Sequence, residues 1–232
     1  MPFLFRQFSV EDKRSSMCIG TDAILLGAWT EPKTTQSILD VGTGCGVVAL
    51  MLAQKSSARI DAIDIDNDSI NECRENFLNC PWNYRLTAIH GRLQDHSDKK
   101  YDLICTNPPY FRNSLKSFVS NRSNARHVDA LSFEELVQGV DNLLAPNGRF
   151  TLILPEKEKK NFIGIAIRHL LFLQRILEII PKSGRPPNRI LMEFGRIIPH
   201  QPDERKLIIR NEDNAYTPEY REITKDYYTD LR

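Results

Sequence analysis

Two short stretches of the chain carry residue types that could bind a cofactor and act on an amino group. The first spans residues 37–46 and places glycines at alternate positions, Gly42, Gly44 and Gly46, directly after a short apolar run. Glycines allow a positive φ and let a ligand approach the backbone, and a following helix presents unpaired N–H groups. The pattern predicts a strand, a tight turn and a helix start that together hold a cofactor.

The spacing of the glycines disfavours a dinucleotide. The NAD fingerprint Gly-x-Gly-x-x-Gly requires glycine at position 47, which is Val47. Asp40 at the predicted strand end and the compact Gly-x-Gly-x-Gly spacing instead resemble the first motif of class I S-adenosylmethionine-dependent methyltransferases, whose cofactor has no pyrophosphate. A glycine-rich turn without a ligand is the alternative.

A second predicted strand, residues 59–66, ends in acidic residues. Asp64 lies 20 residues after Gly44, where a parallel-sheet nucleotide site places a carboxylate, because the two hydroxyl donors of a ribose need a paired acceptor. After the third predicted strand, residues 85–90, no acid stands where methyltransferases of this class often carry one for the adenine amino group. The expected adenine contact is therefore Leu93 or a backbone amide.

The second stretch, Asn107-Pro108-Pro109-Tyr110, follows a fourth predicted strand, residues 101–106. Open α/β sheets bind ligands at the carboxyl ends of their strands. The Asn107 side chain and the Pro108 carbonyl can accept hydrogen bonds from the two N–H groups of an amino group. The Tyr110 ring can stack on the planar group that carries this amino group. The motif resembles that of amino-methyltransferases acting on adenine N6, guanine N2 or a glutamine amide. A chance proline turn is the alternative.

The chain between Leu103 and Val128 contains no acidic residue. A loop this basic beside the predicted target pocket suggests contact with nucleic-acid phosphates, and a solvated charged loop is the alternative. The predicted substrate contacts in it are two aromatic residues for stacking and five basic residues: Tyr110, Phe111, Arg112, Lys116, Arg122, Arg126 and His127.

Composition places few limits on function. The 232 residues, 41% hydrophobic, can bury one full core, and the net charge of +1 does not by itself indicate a nucleic-acid partner. The five cysteines include no Cys-x-x-Cys pair, so neither disulfides nor a metal site are expected. No apolar run reaches the length of a membrane span and no secretion signal is visible, so we expect a cytoplasmic protein.

Residues 1–36 are predicted to form an N-terminal capping arm ahead of a domain spanning 37–232, the two making one compact unit. Thr21 and Asp22 offer N-cap oxygens to a helix at about 23–29. The turn before this helix either plugs the open end of the sheet or lies over the amino-acid end of the cofactor, which makes Thr21 a candidate cofactor contact. Further helices are predicted at about 47–54, 69–78, 131–144 and 156–171, and further strands at about 148–154, 174–180, 188–196 and 207–210.

With both motifs placed, the chain resembles, nearly end to end, the bacterial methyltransferases that methylate N6 of adenine 37 in the anticodon loop of a valine tRNA. The segments that carry the resemblance are Phe5-Arg6-Gln7-Phe8, Met17, Gly20 to Ala23, Leu26 to Trp29, Asn107 to Phe111, Ala125-Arg126-His127, Leu131-Ser132-Phe133 and Tyr216 to Tyr220. Cys18 stands where the family pattern has lysine, which leaves a cationic role there in doubt.

The resemblance implies an α/β, Rossmann-like class I methyltransferase fold, with a seven-stranded, mostly parallel sheet and helices on both faces. It also implies S-adenosylmethionine as cofactor, tRNA as partner, and in-line methyl transfer by a monomer without metal or covalent intermediate. Release-factor glutamine methyltransferases share Asn-Pro-Pro-Tyr but usually carry a helical domain ahead of the core, whereas 36 residues precede Ser37 here. An rRNA guanine-N2 methyltransferase and an RNA-binding module without turnover are further alternatives.

Overall fold

The computed structural model describes residues 2–15, 18–96, 99–108 and 131–229. Its strands are β1 (Phe3–Leu4), β2 (Ser9–Val10), β3 (Ser37–Val41), β4 (Arg59–Asp64), β5 (Leu86–His90), β6 (Tyr101–Thr106), β7 (Leu144–Pro155), β8 (Phe172–Lys182), β9 (Arg189–Gly195) and β10 (Asp203–Arg210). Its helices are α1 (Thr21–Trp29), α2 (Val47–Lys55), α3 (Asn67–Leu78), α4 (Phe133–Leu143), α5 (Lys159–Arg168) and α6 (Pro218–Thr224).

Within the described ranges, eight strands form the main sheet in the order β10-β8-β9-β7-β6-β3-β4-β5, and β1 and β2 form a separate hairpin. Only β9 runs antiparallel to its neighbours. The mostly parallel α/β fold is confirmed, but the expected count of seven is wrong because β10 adds a strand beside β8. The first half of β10 is a run of four charged residues, Asp203-Glu204-Arg205-Lys206. Charged residues are typical of an edge strand, but they show no alternation of apolar residues from which this half could be predicted.

Helices cover both faces of this sheet, as expected. One core cluster contains residues of α1, α2 and α3 together with the aromatic side chains of the N-terminal arm. The other contains residues of α4 and α5. Along β7 the side chains of Leu152, Ile153 and Leu154 enter the two clusters alternately, because successive side chains of a strand point to opposite faces. Because helices cover both faces, we expect a ligand-binding site at the carboxyl edge of the sheet.

Two local expectations need correction. Helix α1 begins at Thr21 without a side-chain cap, since its N-cap residue is Gly20, and Asp22 inside the first turn pairs with Arg189 (Oδ2 to Nε, 2.8 Å). The helix expected at 156–171 is shorter and follows a separate 3-10 turn at Glu156–Glu158. Asp66 caps α3, since its side chain accepts from the Ser69 N–H (2.9 Å).

Candidate active site

The carboxyl ends of three adjacent parallel strands bring the main predicted residues together. Val41 at the end of β3 pairs with Thr106 at the end of β6, and on its other side with Ile63 of β4. Gly42 and Asn107, which continue β3 and β6, therefore leave the sheet next to each other, with Asp64 on the far side. The glycine-rich turn and the Asn107-Pro108 segment face one region although 65 residues separate them along the chain.

The glycine-rich turn needs its glycines for two separate reasons. Gly42, Gly44 and Gly46 have φ of +67°, +56° and +88°, a region that side chains with a Cβ rarely adopt. A Cβ at Gly46 would also lie 2.8 Å from Cys73 Sγ and from the Phe77 ring, so Gly46 lets α3 pack against the turn. A Cβ at Gly42 would meet nothing within 4 Å, which leaves an open space before the turn.

Asp40 supports this turn from behind. Its carboxylate is 1% exposed, and Oδ2 accepts hydrogen bonds from Thr43 Oγ1 (2.6 Å) and from the Ala49 N–H (3.2 Å). Burial raises the pKa of Asp40 to about 6. The sequence predicts a cofactor contact for Asp40; its burial instead makes it a residue that ties the turn to β3 and α2.

Asp64 is placed where a ribose diol could meet it. Its Oδ2 accepts from the Gly44 N–H (2.8 Å) and its Oδ1 from the Asp66 N–H (2.9 Å). Each carboxylate oxygen has two acceptor sites, so each retains one for a further donor. Burial raises the pKa of Asp64 above its ordinary value, although these two hydrogen bonds oppose the rise.

An N-terminal segment lies directly beside the turn, and sequence reasoning missed what holds it. The Glu72 carboxylate, 1% exposed, accepts hydrogen bonds from three successive backbone N–H groups, those of Lys13 (2.8 Å), Arg14 (3.1 Å) and Ser15 (2.8 Å). Ser15 Oγ then comes within 3.0 Å of the place that a Cβ on Gly44 would take. The arm therefore forms one wall of the open space.

Asn76 completes this attachment. Its amide exchanges two hydrogen bonds with the Glu11 backbone (2.9 and 2.8 Å) and donates to the Cys45 carbonyl (2.8 Å). Glu72 and Asn76 stand four residues apart and share the buried side of α3 with Cys73. A polar pair at helical spacing inside an apolar face is a signal that the sequence contains and that could have been found.

The apolar side chain beside Asp64 is Ile65 rather than Leu93. Leu93 follows β5 but is 5% exposed and packs against Gly139 of α4, where an added Cβ would lie 2.6 Å from Leu93 Cδ2. Ile65 continues β4 and is 46% exposed. The expected side-chain contact of Leu93 with an adenine is therefore not supported by its placement, whereas a backbone amide after β5 stays a prediction.

Asn107 is half-buried and Pro108 is buried at the end of β6. Thr106 Oγ1 donates to the Val41 carbonyl (2.7 Å), which ties this end of β6 to β3. The other predicted substrate residues lie outside the described residues, within 109–130: Tyr110, Phe111, Arg112, Lys116, Arg122, Arg126 and His127. Their roles stay predictions.

Thr21 is exposed at the start of α1. The ion pair between Asp22 and Arg189 joins this helix start to the first residue of β9. Because β9 is antiparallel, Arg189 pairs with Pro155, the last residue of β7, and so lies at the carboxyl edge. Thr21 thus belongs to the same edge of the sheet as the glycine-rich turn.

No group of three or more His, Cys, Asp and Glu side chains within the described residues could hold a metal ion. No helix in that part of the chain is long and apolar enough to cross a membrane.

Comparison with known proteins gives matches of two kinds. The family described as methyltransferase small domain matches residues 15–169. A tRNA1(Val) (adenine(37)-N6)-methyltransferase of Bacteroides fragilis is 43% identical over 97% of both chains, and proteins of the same description from Parabacteroides distasonis and Tolumonas auensis are 40% and 36% identical, each over 97% of this chain and 97% and 96% of their own.

Solved structures resemble the fold at low sequence identity. A structure described as a predicted O-methyltransferase from Agrobacterium tumefaciens superposes with a TM-score of 0.68 at 16% identity, covering 89% of this chain and 96% of its own. A TehB-like S-adenosylmethionine-dependent methyltransferase from Corynebacterium glutamicum gives 0.51 at 18% identity, over 78% and 90%. These likenesses place the chain among class I methyltransferase folds.

Proposed function

Because this chain belongs to the family of tRNA1(Val) (adenine(37)-N6)-methyltransferases, we propose that it transfers the methyl group of S-adenosylmethionine to N6 of adenine 37 in the anticodon loop of a valine tRNA. The observation that carries the proposal is the position of Asn107-Pro108 beside the glycine-rich turn, on adjacent strands β6 and β3. We propose further that the enzyme acts as a monomer, in the cytoplasm and without a metal ion.

The residues present fit the cofactor. The open space before Gly42, the wall formed by Ser15 and the two remaining acceptor sites of Asp64 suit a ligand with an adenosine ribose. The exposed side chain of Ile65 offers an apolar face beside it for the adenine ring. When bound, S-adenosylmethionine supplies a methyl group on a positively charged sulfur.

Asn107 and Pro108 would act on the nucleophile. The N6 amine of adenine is a weak nucleophile while its lone pair is conjugated with the ring. The Asn107 side-chain oxygen and the Pro108 carbonyl can each accept a hydrogen bond from one of the two N–H groups of the amine. These hydrogen bonds favour the pyramidal nitrogen that forms as the new bond to carbon develops. This stabilisation grows toward the transition state and therefore raises the rate. Holding the amine in line with the methyl group supplies the rest of the rate enhancement.

The target base must also leave the stack of the loop to reach this position. The free energy lost when the base leaves the stack is offset by stacking on aromatic side chains and by contacts to the neighbouring phosphates. We assign these roles to Tyr110 and Phe111 for stacking and to the basic residues of 112–127 for phosphates, on sequence grounds alone.

Nucleoside mass spectrometry after incubation with purified enzyme tests the proposal. Two anticodon stem-loops, one with adenine and one with guanine at position 37, are compared with a glutamine-bearing peptide of a release factor. We expect N6-methyladenosine in the first RNA and no product in the other substrates. Methylguanosine or methylglutamine as the main product would contradict the proposal.

A further inference from the structure

A second basic segment lies on the part of the sheet that the cofactor site does not use. Between Glu178 of β8 and Glu193 of β9 the chain has no acidic residue, and it contains Lys182, Arg185 and Arg189. Residues 183–188 form the β8–β9 loop. Since β8 runs parallel to the central strands and β9 antiparallel, this loop lies at the carboxyl edge, the same edge as Asn107.

The backbone of the β8–β9 loop is fixed by hydrogen bonds at both ends. Ser183 N–H donates to the Arg210 carbonyl (2.9 Å), and Arg185 N–H donates to that of Lys182 (3.0 Å). Asn188 N–H donates to the Ile179 carbonyl (3.0 Å). Pro186 and Pro187 restrict the part between these ends. The loop therefore presents its cations from a defined position.

A shallow cavity of about 310 Å³, open to solvent, lies between this loop and the end of β7, lined by Pro155, Glu156, Lys157, Pro187, Asn188 and Arg189. Its open shape and mostly polar lining suit one unit of an extended, polar ligand rather than an enclosed small molecule. Strand β9 is two places from β6 in the sheet, a separation of roughly 10 Å at the usual strand spacing. The cavity is thus near the end of β6 without belonging to the cofactor site.

The lining combines the groups that a single ribonucleotide requires. Lys157 and the neighbouring Arg185 are exposed cations that suit phosphates. The Glu156 carboxylate can accept a hydrogen bond from a 2′-hydroxyl, the group that distinguishes RNA from DNA. Two proline rings provide apolar faces, and the Asn188 amide can meet a base edge.

We propose that this cavity holds a nucleotide adjacent to the methylated adenine in the RNA loop, with Lys157 and Arg185 contacting its flanking phosphates. The inference rests on the proposed function and adds a contact that lies outside residues 109–130. An extruded adenine at Asn107 leaves its neighbour unstacked, and a neighbouring pocket with apolar and polar walls compensates for that loss.

The phosphate contacts are tested with the double variant Lys157→Ala and Arg185→Ala. Its matched control is Arg59→Ala with Lys100→Ala, which removes two cations from the starts of β4 and β6, at the opposite edge. Binding of the anticodon stem-loop is measured from 50 to 200 mM salt. We expect about tenfold weaker binding and a salt slope reduced by roughly 0.7 for each lost contact, with unchanged S-adenosylmethionine affinity. Binding equal to that of the control pair would overturn the phosphate contacts.

The nucleotide pocket is tested with Asn188→Trp, which fills the cavity while leaving the backbone hydrogen bonds of residue 188 available. Stem-loops with an abasic unit on either side of adenine 37 are compared with the intact loop. We expect one abasic position to weaken binding to the unmodified protein several-fold and to have no further effect on Asn188→Trp. An equal effect on both proteins would overturn the pocket assignment.

These outcomes are separate from those that test the function. If the unmodified protein forms no N6-methyladenosine, the proposed function is wrong. If it does form N6-methyladenosine, but the double variant binds RNA as its control pair does and the abasic units affect Asn188→Trp and the unmodified protein equally, only the second RNA contact is wrong.

Discussion

The two halves of the carboxyl edge hold their polar groups in different ways. In the cofactor half, at the ends of β3 and β4 and on α3, the carboxylates of Asp40, Asp64 and Glu72 each accept at least two hydrogen bonds from nearby groups. In the RNA half, at the ends of β7 and β8 and the start of β9, the exposed cations Lys157 and Arg185 extend from the 3-10 turn after β7 and from the β8–β9 loop. The first arrangement suits one small ligand and the second suits a polyanion.

This difference predicts how each half responds to a single substitution. A hydrogen bond to a charged group is worth about 1.5–3 kcal/mol, whereas a phosphate contact in water is weaker and is screened by salt. Removing a ligand-facing acceptor of the cofactor half should therefore cause a steep loss of cofactor affinity, whereas removing a cation of the RNA half should cause a small loss of RNA affinity. Asn107 lies between the halves and is expected to give the largest effect.

Asn107→Ala should lower kcat by about a hundredfold or more, because it removes an acceptor whose interaction strengthens in the transition state. S-adenosylmethionine affinity should stay within a few fold, which separates Asn107 from the cofactor half. Single-turnover methylation of the adenine-37 stem-loop measures the first effect and calorimetry the second. Asn147→Ala, an exposed asparagine near the start of β7, is the control. An undiminished rate for Asn107→Ala would remove this residue from the mechanism.

Asp40→Asn tests the buried support of the turn. In the folded protein the pKa of Asp40 is raised from 3.8 to about 6 by burial. Ionising Asp40 therefore destabilises the fold by up to about 3 kcal/mol above pH 6. The penalty shrinks as the pH falls below 6 and is nearly gone by pH 4, close to the unfolded-state pKa of 3.8. Asparagine avoids the charge, and its oxygen can still accept from Thr43 and Ala49.

Urea unfolding between pH 4 and pH 8 measures this effect. We expect Asp40→Asn to be more stable than the parent at pH 8, with the gain lost at pH 4. Thr43→Val, which removes one of the three donors to Asp40, should instead destabilise the protein at every pH. A gain that does not depend on pH would show that the charge of Asp40 is not the cause.

Asp64→Ala should weaken S-adenosylmethionine binding by roughly tenfold to a hundredfold, since it removes the acceptor proposed for the ribose. The parent should also lose affinity as the pH falls through the pKa of Asp64, which burial raises above its ordinary value. Calorimetry on folded protein measures both, and Asp68→Ala, an exposed acid in the first turn of α3, is the control. Unchanged affinity would move the ribose contact to another residue.

The sequence predicts the parts of the site that depend on strand ends. Asp64 and Asn107 each follow a short apolar run, and parallel strands bring such positions to one edge whatever the details of packing. The burial of Asp40 could not be predicted in the same way. It depends on how α2 and β6 close over the turn, where Ala49 and Cys105 lie beside its carboxylate.

Contacts between distant segments explain the remaining misses. The hydrogen bonds from the backbone of residues 13–15 to Glu72 join positions at least 57 residues apart. The helical spacing of Glu72 and Asn76 indicates that they have buried partners, but no local pattern identifies residues 13–15 as those partners. Strand β10 was missed in its first half because its charged residues show no alternation. The position of Leu93 after β5 predicts a cofactor contact, but its side chain packs against Gly139 of α4, a contact that no local pattern indicates.

Arg122→Ala and Arg126→Ala should give the smallest effects. Each should weaken stem-loop binding less than tenfold and reduce the salt slope by up to about one unit, because each removes at most one phosphate contact. The rate at saturating RNA and the affinity for S-adenosylmethionine should not change. Arg205→Ala is the control, since Arg205 is an exposed arginine on the edge strand β10 with its side chain paired to Asp203.

If combining Arg122→Ala, Arg126→Ala and Arg185→Ala lowers the slope by the sum of the single effects, residues 112–127 and the β8–β9 loop contact different phosphates of one RNA. A combined effect no larger than one single effect would mean that they share a contact, and the RNA half would then be smaller than we propose.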